Sequence, residues 1–440
     1  MDLYIIGFAT LLGLYMAWNI GANDVANSMA DAVGSKAVTV KQAIILAGIC
    51  EFAGAVLVGS HVTDTIRKGI VQPSALTALP GMGPNEAAAL FVIGMTAALF
   101  AAALWLHFSS WTGMPVSTTH SIVGAVAGFG IVAAGWDSVN WHKMSQIVAS
   151  WFISPIAGGA LAFCLFKFIS HAILGQEKPA RAAITFTPYI VFLMAAVLTL
   201  ATVYKGLTHV IKDVPWLTDE LTLVLSLVLA LLSALLSHIF IRRKLSNKVN
   251  LPIAQQLEEV EQVFTPIVII SSCTVAFAHG ANDVANSVGP LAAIVHIIQQ
   301  GTIEMQVGVP LWVLTLGGAG IVFGLATYGY KVMHTVGTEI TQITPSRGVA
   351  ADLAATATVL VCTRLKLPVS TTHTLVGAII GIGLARGLGG INRAITKKIF
   401  NSWIITVPAA ALLCMLLFVL GRALFFDTLL AIMRVNGAGP

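Results

Sequence analysis

Hydrophobic residues in this chain fall into twelve runs that are separated by short polar connections. The runs approach the roughly 20 apolar residues that an α-helix needs to cross a bilayer. They are centred near Leu11, Gly48, Gly94, Ala125, Gly158, Leu193, Leu229, Ile270, Gly317, Ala355, Ile379 and Leu413. The pattern therefore predicts an all-α integral membrane protein with about twelve transmembrane segments.

The composition supports a membrane protein and limits the chemistry that the chain can perform. Of its 440 residues, 57% are hydrophobic and only 10% are charged, whereas soluble domains carry roughly 25% charged residues. The five cysteines are scattered singly through apolar runs, without the paired spacing of a metal site or a redox centre. We expect no organic cofactor and no catalytic residues, so the chain is not predicted to be an enzyme.

Lys and Arg residues are unevenly distributed among the polar connections. The connections that follow odd-numbered runs contain about twice as many of them as the others. By the positive-inside rule, the odd connections are cytoplasmic and both termini lie outside, in a multi-pass protein of the cell membrane. No Lys or Arg precedes Lys36, which argues against a cleaved secretory signal. We assign the net charge of +5 to membrane topology and not to nucleic-acid binding.

Two polar strings occur twice in this apolar chain. The string GANDVANS covers residues 21–28 and returns at 280–287, and PVSTTH covers 115–120 and returns at 368–373. Because the order is the same both times, the pattern predicts two repeats of five runs each. The predicted units are a first repeat at 1–175, two connecting helices with a cytoplasmic loop at 176–262, a second repeat at 263–427 and a C-terminal tail at 428–440.

The number of crossings between the repeats predicts their relative orientation. The eighth run begins seven crossings after the first, and an odd number places the second repeat upside down relative to the first. Inverted repeats with discontinuous helices are typical of secondary transporters, in which substrate and ions bind near the middle of the membrane. We therefore expect the paired strings to meet at one buried polar site.

The PVSTTH strings have the residue types of a helix start. Ser and Thr favour the N-cap, and Pro is favoured in the first turn. Unpaired N–H groups at a helix start, together with the positive end of the helix dipole, form an anion site. Two such ends that face each other would surround a tetrahedral oxyanion with neutral donors. The alternative is that the strings only cap two helices.

The GANDVANS strings combine hard oxygen ligands with a glycine-marked break in the helix. Asn23, Asp24 and Asn27 lie within two turns of one another, and the second copy repeats them. Amide, carboxylate and carbonyl oxygens suit a small hard cation, and a carboxylate at membrane depth indicates function. Two such aspartates would offset the charge of bound cations. The alternative is close helix packing by Gly and Ala with a capping side chain.

Other polar residues inside the apolar runs are less informative. Glu51 lies in the second run without an acidic counterpart in the ninth, so it is either an ion or proton relay or a residue at a water-filled vestibule. Asp352 begins the tenth run, and here the pattern favours the vestibule. His120 and His373 follow the threonine pairs and either orient the site or form structural hydrogen bonds.

Taken together, these strings resemble those of the inorganic phosphate transporter (PiT) family. The stretches TIRKG at 65–69 and ITPSRG at 343–348 are similar to that family as well. The resemblance covers essentially the whole chain. It implies twelve membrane segments, both termini outside, two inverted repeats and cotransport of inorganic phosphate with Na⁺ or H⁺.

The resemblance also implies roles for the residues of the repeated strings, matched position by position. The implied phosphate ligands are Ser117, Thr118, Thr119, Ser370, Thr371, Thr372, Asn23 and Asn282. The implied sodium ligands are Asp24, Asn27, Asp283, Asn286 and Glu51, with sodium as the only metal. Glu51 is included because it stands where family members also carry a functional glutamate.

The sequence thus predicts a symporter of phosphate and sodium that works by alternating access. Three alternatives stay open. One is a proton-coupled phosphate or sulfate permease of the same architecture, another is a membrane-embedded phosphatase or phosphotransferase, and the third is a passive channel. The expected partners are inorganic phosphate, sodium and the lipid bilayer, without nucleic acid, and assembly into a homo-oligomer is left open.

Overall fold

A computed structural model describes residues 2–59, 70–71, 81–203, 218–303, 307–365 and 369–436. The stretch at 65–69 that resembles the phosphate transporters lies outside the described residues. The described chain folds into helices joined by short connections, apart from an isolated β-bridge between Val71 and Val139. The prediction of an all-α fold is confirmed.

The long helices follow the order of the apolar runs. Those of the predicted first repeat are α1 (Asp2–Ile20), α2 (Val40–Val58), α3 (Pro84–Trp111), α4 (Thr118–Ala134) and α5 (Trp141–Ile169). The connecting helices are α6 (Pro179–Ala201) and α7 (Asp219–Leu245). The remaining helices are α8 (Ile253–Asp283), α9 (Ala285–Gln300), α10 (Leu311–Tyr328), α11 (Pro345–Arg364), α12 (Thr371–Ala385) and α13 (Arg393–Asn436). Every predicted run coincides with one of these helices.

The predicted count of twelve membrane crossings is not confirmed by the length and composition of the described helices. Nine helical stretches of the described residues are long and apolar enough to cross a membrane. Helices α4 and α12 are apolar but have only 17 and 15 residues. At about 1.5 Å per residue they extend for at most ~25 Å, short of a hydrocarbon core of roughly 30 Å. Helix α11 is long enough, but charged residues such as Arg347 and Asp352 lower its hydropathy.

Both GANDVANS strings lie where a membrane helix is interrupted. Helix α1 ends at Ile20 and continues into a π-helical turn, Gly21–Val25, which is followed by short helices at Ala26–Ser28 and Ala30–Gly34. Helix α8 ends at Asp283, and α9 begins two residues later. The predicted discontinuous helices are therefore present. Helix α9 was not expected, because its residues were not counted among the apolar runs.

Helices from the two predicted repeats pack on one another reciprocally. Helix α1 packs on α10, and its counterpart α8 packs on α2. In the same way α5 packs on α12 while α13 packs on α4, and α3 packs on α13 while α11 packs on α5. A pseudo-twofold axis between two units of five helices would produce this exchange of partners. The boundaries of those units and their inversion across the membrane stay predictions.

Gly21 and Gly280, the first residues of the two GANDVANS strings, lie at close helix crossings. A Cβ atom on Gly21 would lie 1.8 Å from a carbonyl oxygen of α10, and one on Gly324 would lie 1.7 Å from a carbonyl oxygen of α1. The reciprocal crossing of α2 and α8 uses Gly54 and Gly280, with Cβ positions 2.1 Å and 2.2 Å from backbone oxygens. Because the backbones touch, a side chain has no room there. These crossings hold the two helix breaks in place.

Candidate functional site

Helices α4 and α12 begin inside the two PVSTTH strings. The hydroxyl of Ser117 accepts a hydrogen bond from the N–H of His120 at 3.3 Å, and Ser370 accepts one from His373 at 3.3 Å. These are N-cap hydrogen bonds, so the predicted helix starts are confirmed. Both serine hydroxyls serve as caps in this arrangement, and a direct contact between them and phosphate stays a prediction.

The carboxylate of Asp24 joins the two helix starts. Its Oδ2 accepts hydrogen bonds from the hydroxyl of Thr118 at 2.5 Å and from the N–H of the same residue at 3.3 Å. Its Oδ1 accepts one from the hydroxyl of Thr372 at 2.5 Å. Asp24 is almost completely buried. One side chain of the first GANDVANS string therefore contacts both PVSTTH strings.

Two asparagines make the remaining contacts between the strings. Asn27 donates from Nδ2 to the hydroxyl oxygen of Thr372 at 3.5 Å. Asn286, at the matching position of the second string, donates to the hydroxyl oxygens of Thr118 at 3.1 Å and Thr119 at 3.2 Å. Each asparagine thus reaches a threonine of the opposite repeat. The expectation that all four strings meet at one buried location agrees with these contacts.

Asp283 has a different partner from Asp24. Its Oδ2 lies 2.7 Å from Nδ1 of His279, one turn earlier in α8. At the matching position of the first string the chain has Ile20, which offers no such partner. No threonine hydroxyl donates to Asp283 within the described chain. The two aspartates therefore occupy matched positions in the repeats but have unlike surroundings.

Asn23 holds the connection between α3 and α4. Its Nδ2 donates to the hydroxyl of Ser110 at 3.1 Å and to the carbonyl of Met114 at 2.9 Å, and its Oδ1 accepts from the N–H of Val116 at 3.0 Å. Both polar atoms of the amide are thus used within the first repeat. The side chain positions the start of the first PVSTTH string, and its role as a phosphate ligand stays a prediction.

Two other predicted phosphate ligands, Asn282 and Thr371, are half-buried. Neither side chain makes a hydrogen bond to another described residue. Thr371 borders a cavity of about 50 Å³, which His279 also lines. A water molecule needs roughly 10–15 Å³ of such space, so the cavity is large enough for a water or a small ion beside the threonine.

Glu51 adds a third carboxylate to the same region. It is fully buried in α2, and no hydrogen-bond donor of the described residues reaches either of its carboxylate oxygens. Its charge acts on those of Asp24 and Asp283. No Lys or Arg belongs to the buried part of the described chain. Three carboxylates without a basic partner other than His279 require bound cations or protons to offset their charge.

A second buried carboxyl pair was missed by the sequence analysis. Asp31 was not singled out, and Asp352 was expected at an aqueous vestibule, but both are completely buried. The two carboxyls lie close enough to act on each other, and neither Oδ2 of Asp31 nor Oδ1 of Asp352 has a donor among the other described residues. Ser271 donates to Oδ2 of Asp352 at 2.5 Å, and Ser272 donates to the same oxygen at 3.2 Å. The sequence did contain a signal for Asp31, because this carboxylate lies in the first turn of the short helix Ala30–Gly34, directly after the helix break.

The two histidines of the PVSTTH strings meet where the repeats face each other. The rings of His120 and His373 lie edge to face with centroids 4.9 Å apart. His373 stacks on Trp403 at 3.9 Å, and His120 lies 5.8 Å from Trp151. The indole N–H of Trp403 donates to the carbonyl of Pro115 at 2.8 Å. The histidines thus pack as aromatic rings, and neither ring nitrogen of His373 nor Nδ1 of His120 has a hydrogen-bond partner among the described residues. The predicted structural hydrogen bonds are not observed at these atoms, and a role in orienting the site stays a prediction.

Comparison with known proteins gives one consistent family. The profile of the phosphate transporter family matches residues 20–414. A Thermococcus kodakarensis protein named as a phosphate permease is 44% identical over 408 residues, which cover 93% of this chain and 95% of that protein. The chloroplastic inorganic phosphate transporter 2-1 of Arabidopsis thaliana is 38% identical over 437 residues, which cover 94% of this chain and 71% of that protein.

A solved structure shares the fold over nearly the entire chain. It is described as the sodium-dependent phosphate transporter and is 39% identical in sequence to this chain. The superposition has a TM-score of 0.82 and covers 96% of this chain and 100% of the other. The helical arrangement that brings the four strings together is therefore similar in the two proteins.

Proposed function

Because the chain belongs to the phosphate transporter family and is a transporter, not an enzyme, we propose that it carries inorganic phosphate together with sodium ions across the cell membrane. The mechanism would be alternating access, with both termini outside the cell. The neighbour in structure is described as sodium-dependent, which supports sodium as the coupling ion.

The observation that carries this proposal is a group of three buried carboxylates, Asp24, Asp283 and Glu51, whose charges act on one another. Asp24 joins this group to the starts of α4 and α12. Helix starts attract an anion, yet three carboxylates would repel phosphate. Sodium ions bound to the carboxylates would remove that conflict, because the cations offset both the side chains and the substrate. Carboxylate and amide oxygens are ligands of the kind that hard cations prefer. The site would therefore bind phosphate well only when sodium is present.

Backbone groups at the helix starts supply donors for the phosphate. The first four N–H groups of a helix have no partner within that helix. In α4 the N–H groups of Thr118 and His120 are used by Asp24 and Ser117. The N–H groups of Thr119, Thr371 and Thr372 have no acceptor in the described structure. We assign these three to phosphate oxygens.

Threonine hydroxyls would link the cation and anion parts of the site. In this structure the hydroxyls of Thr118 and Thr372 donate to Asp24. A hydroxyl has a single proton, so it does not donate to phosphate at the same time. A sodium ion on Asp24 would satisfy the carboxylate instead, and the freed hydroxyls would turn toward phosphate. Sodium binding would thus prepare the phosphate site, which couples the two ligands.

Replacing sodium by choline is expected to lower uptake of radiolabelled phosphate into proteoliposomes at least tenfold, since a coupling free energy of about 1.4 kcal/mol corresponds to tenfold. The assay is made at two pH values with an inward sodium gradient, and protein-free vesicles serve as the control. Equal uptake in both salts would contradict sodium coupling. Accumulation against a phosphate gradient would exclude a passive channel. If unlabelled sulfate inhibited uptake as strongly as unlabelled phosphate does, the protein would be a general oxyanion permease.

Proton coupling is the second candidate, and the Asp31–Asp352 pair is the observation that favours it. Burial and the mutual repulsion of Asp31 and Asp352 disfavour ionisation of both carboxyls, so one of them would hold a proton. The proton is either structural or transported. Under sodium coupling, we expect Asp31→Asn to keep sodium-driven uptake within about twofold, since the amide N–H donates to Asp352 in place of the proton. Loss of uptake and of its pH dependence in folded protein would instead support proton transport.

A further inference from the structure

An apolar groove runs along the outer surface of α5 and α12 toward the start of α13. It has a volume of about 590 Å³, and its walls include Phe152, Ile156, Phe163 and Phe400. The side chain of Ile156 is 67% exposed and that of Phe152 is 57% exposed, so the groove opens outward from the helix bundle. In a membrane protein such a surface faces lipid.

Glycines form the floor of this groove. Helices α5 and α12 cross with their backbones in contact: a Cβ atom on Gly381 would lie 2.0 Å from the carbonyl oxygen of Gly159, and one on Gly377 would lie 2.4 Å from that of Pro155. Because glycines leave the crossing without side chains, the larger side chains on either side of it project outward and line the groove. The groove is therefore a fixed feature of the helix crossing.

A basic cluster lies at one end of the groove. A second cavity of about 360 Å³ shares Ile380, Leu384 and Phe400 with the first and is lined in addition by Arg393 and Lys397. At the same end, the ammonium group of Lys167 lies 5.9 Å from the ring centroid of Phe163. Among the described residues, none that lines either cavity is acidic. Neither Arg393 nor Lys397 forms an ion pair within the described part of the protein.

We propose that this groove binds one anionic phospholipid, with an acyl chain between α5 and α12 and the phosphate of the headgroup at Arg393 and Lys397. An apolar groove alone does not select a lipid, because lipid tails are as apolar as the groove. Selection comes from the basic cluster, since Arg binds phosphate through two parallel hydrogen bonds and anionic lipids are attracted to basic residues at the membrane surface. The charge bias of the connections predicts that this end is cytoplasmic, where anionic lipids are enriched.

The test is lipid binding by the purified full-length protein in detergent, measured by native mass spectrometry and by the shift in thermal unfolding temperature. Three probes are compared: dioleoyl phosphatidylglycerol, dioleoyl phosphatidylcholine and glycerol 3-phosphate, which has a phosphate but no acyl chain. We expect retention of one phosphatidylglycerol and stabilisation by that lipid alone. Equal effects of phosphatidylcholine, or binding of glycerol 3-phosphate as tight as that of the lipid, would overturn the proposal.

Matched variants separate the two parts of the groove. The double change R393Q/K397Q is expected to weaken phosphatidylglycerol binding roughly 30-fold, since each basic residue near an anionic lipid contributes a factor of about five. The control K178Q/R181Q removes the same charge from another connection on the predicted cytoplasmic side. Ala160→Trp fills the groove and is expected to prevent binding, whereas Leu161→Trp places the same side chain outside it. Wild-type binding by R393Q/K397Q or by Ala160→Trp would overturn the proposal.

Discussion

Replacing Asp24 by asparagine is expected to lower sodium-driven phosphate uptake at least ~100-fold while the protein still folds. The asparagine keeps the size of the side chain, and its Oδ1 still accepts a hydrogen bond from Thr372. It removes the negative charge that we assign to sodium, and loss of one partner from a buried charge pair costs about 3–5 kcal/mol. Uptake into proteoliposomes measures the loss, and thermal unfolding in detergent checks the fold.

Asp137→Asn is the matched control for this experiment. Asp137 is an exposed acidic residue in the short helix Trp136–Ser138 of the same predicted repeat, and it receives the same chemical change. We expect Asp137→Asn to take up phosphate as the wild type does. We expect Asp283→Asn to lose as much uptake as Asp24→Asn does. Wild-type uptake by Asp24→Asn with unchanged sodium dependence would remove Asp24 from the proposed sodium site. A large fall in its unfolding temperature would assign the residue a structural role instead.

Replacing Gly324 by alanine is expected to abolish the yield of folded protein, although it adds only one methyl group. The new Cβ atom would lie 1.7 Å from the carbonyl oxygen of Trp18, and backbone atoms do not move aside as the end of a flexible side chain does. Overpacking of side chains costs about 1–3 kcal/mol, and a backbone contact of this kind exceeds that range. Size-exclusion chromatography and the amount of protein in membranes measure the effect.

Gly7→Ala provides the control on the opposite helix of the same crossing. Apart from the backbone of its own helix, no atom of the described residues lies within 4 Å of the Cβ position at Gly7, so alanine fits there without a clash. Because alanine is a better helix former than glycine by about 1 kcal/mol, this variant is expected to be as stable as wild type or slightly more stable. Normal yield and unfolding temperature for Gly324→Ala would show that α1 and α10 are further apart than described.

Local chemistry explains which parts of the site were predictable. The serines that cap α4 and α12 were identified as helix starts because a cap depends only on residues within one turn. The helix breaks at the GANDVANS strings were predicted on similar grounds, from glycine and polar residues at the end of an apolar run. The predicted ligands also lie together, since Asp24, Asn27 and Asn286 contact threonines of both PVSTTH strings.

The misses have a different origin. Helix α9 was not expected, because apolar runs do not show where a helix is interrupted. The count of twelve crossings stays a prediction for the same reason. Asn23 stays a predicted phosphate ligand, but the sequence did not indicate that its amide also holds the connection between α3 and α4. Asp31 and Asp352 are 321 positions apart in the sequence. The residues around each aspartate give no sign that the two side chains pair.

The sequence by itself determined that this is a membrane protein and which residue types occur in the four strings. It also predicted the two repeats. These follow from hydrophobicity, charge bias and repetition, which are properties of short stretches of chain. Only the tertiary structure decided which oxygens and hydroxyls meet. Asp24 contacts Thr372 across 348 positions, and Glu51 lies near both aspartates because α2 and α8 cross at glycines. Such contacts depend on how helices pack, since residues distant in sequence become neighbours only when whole helices are placed side by side.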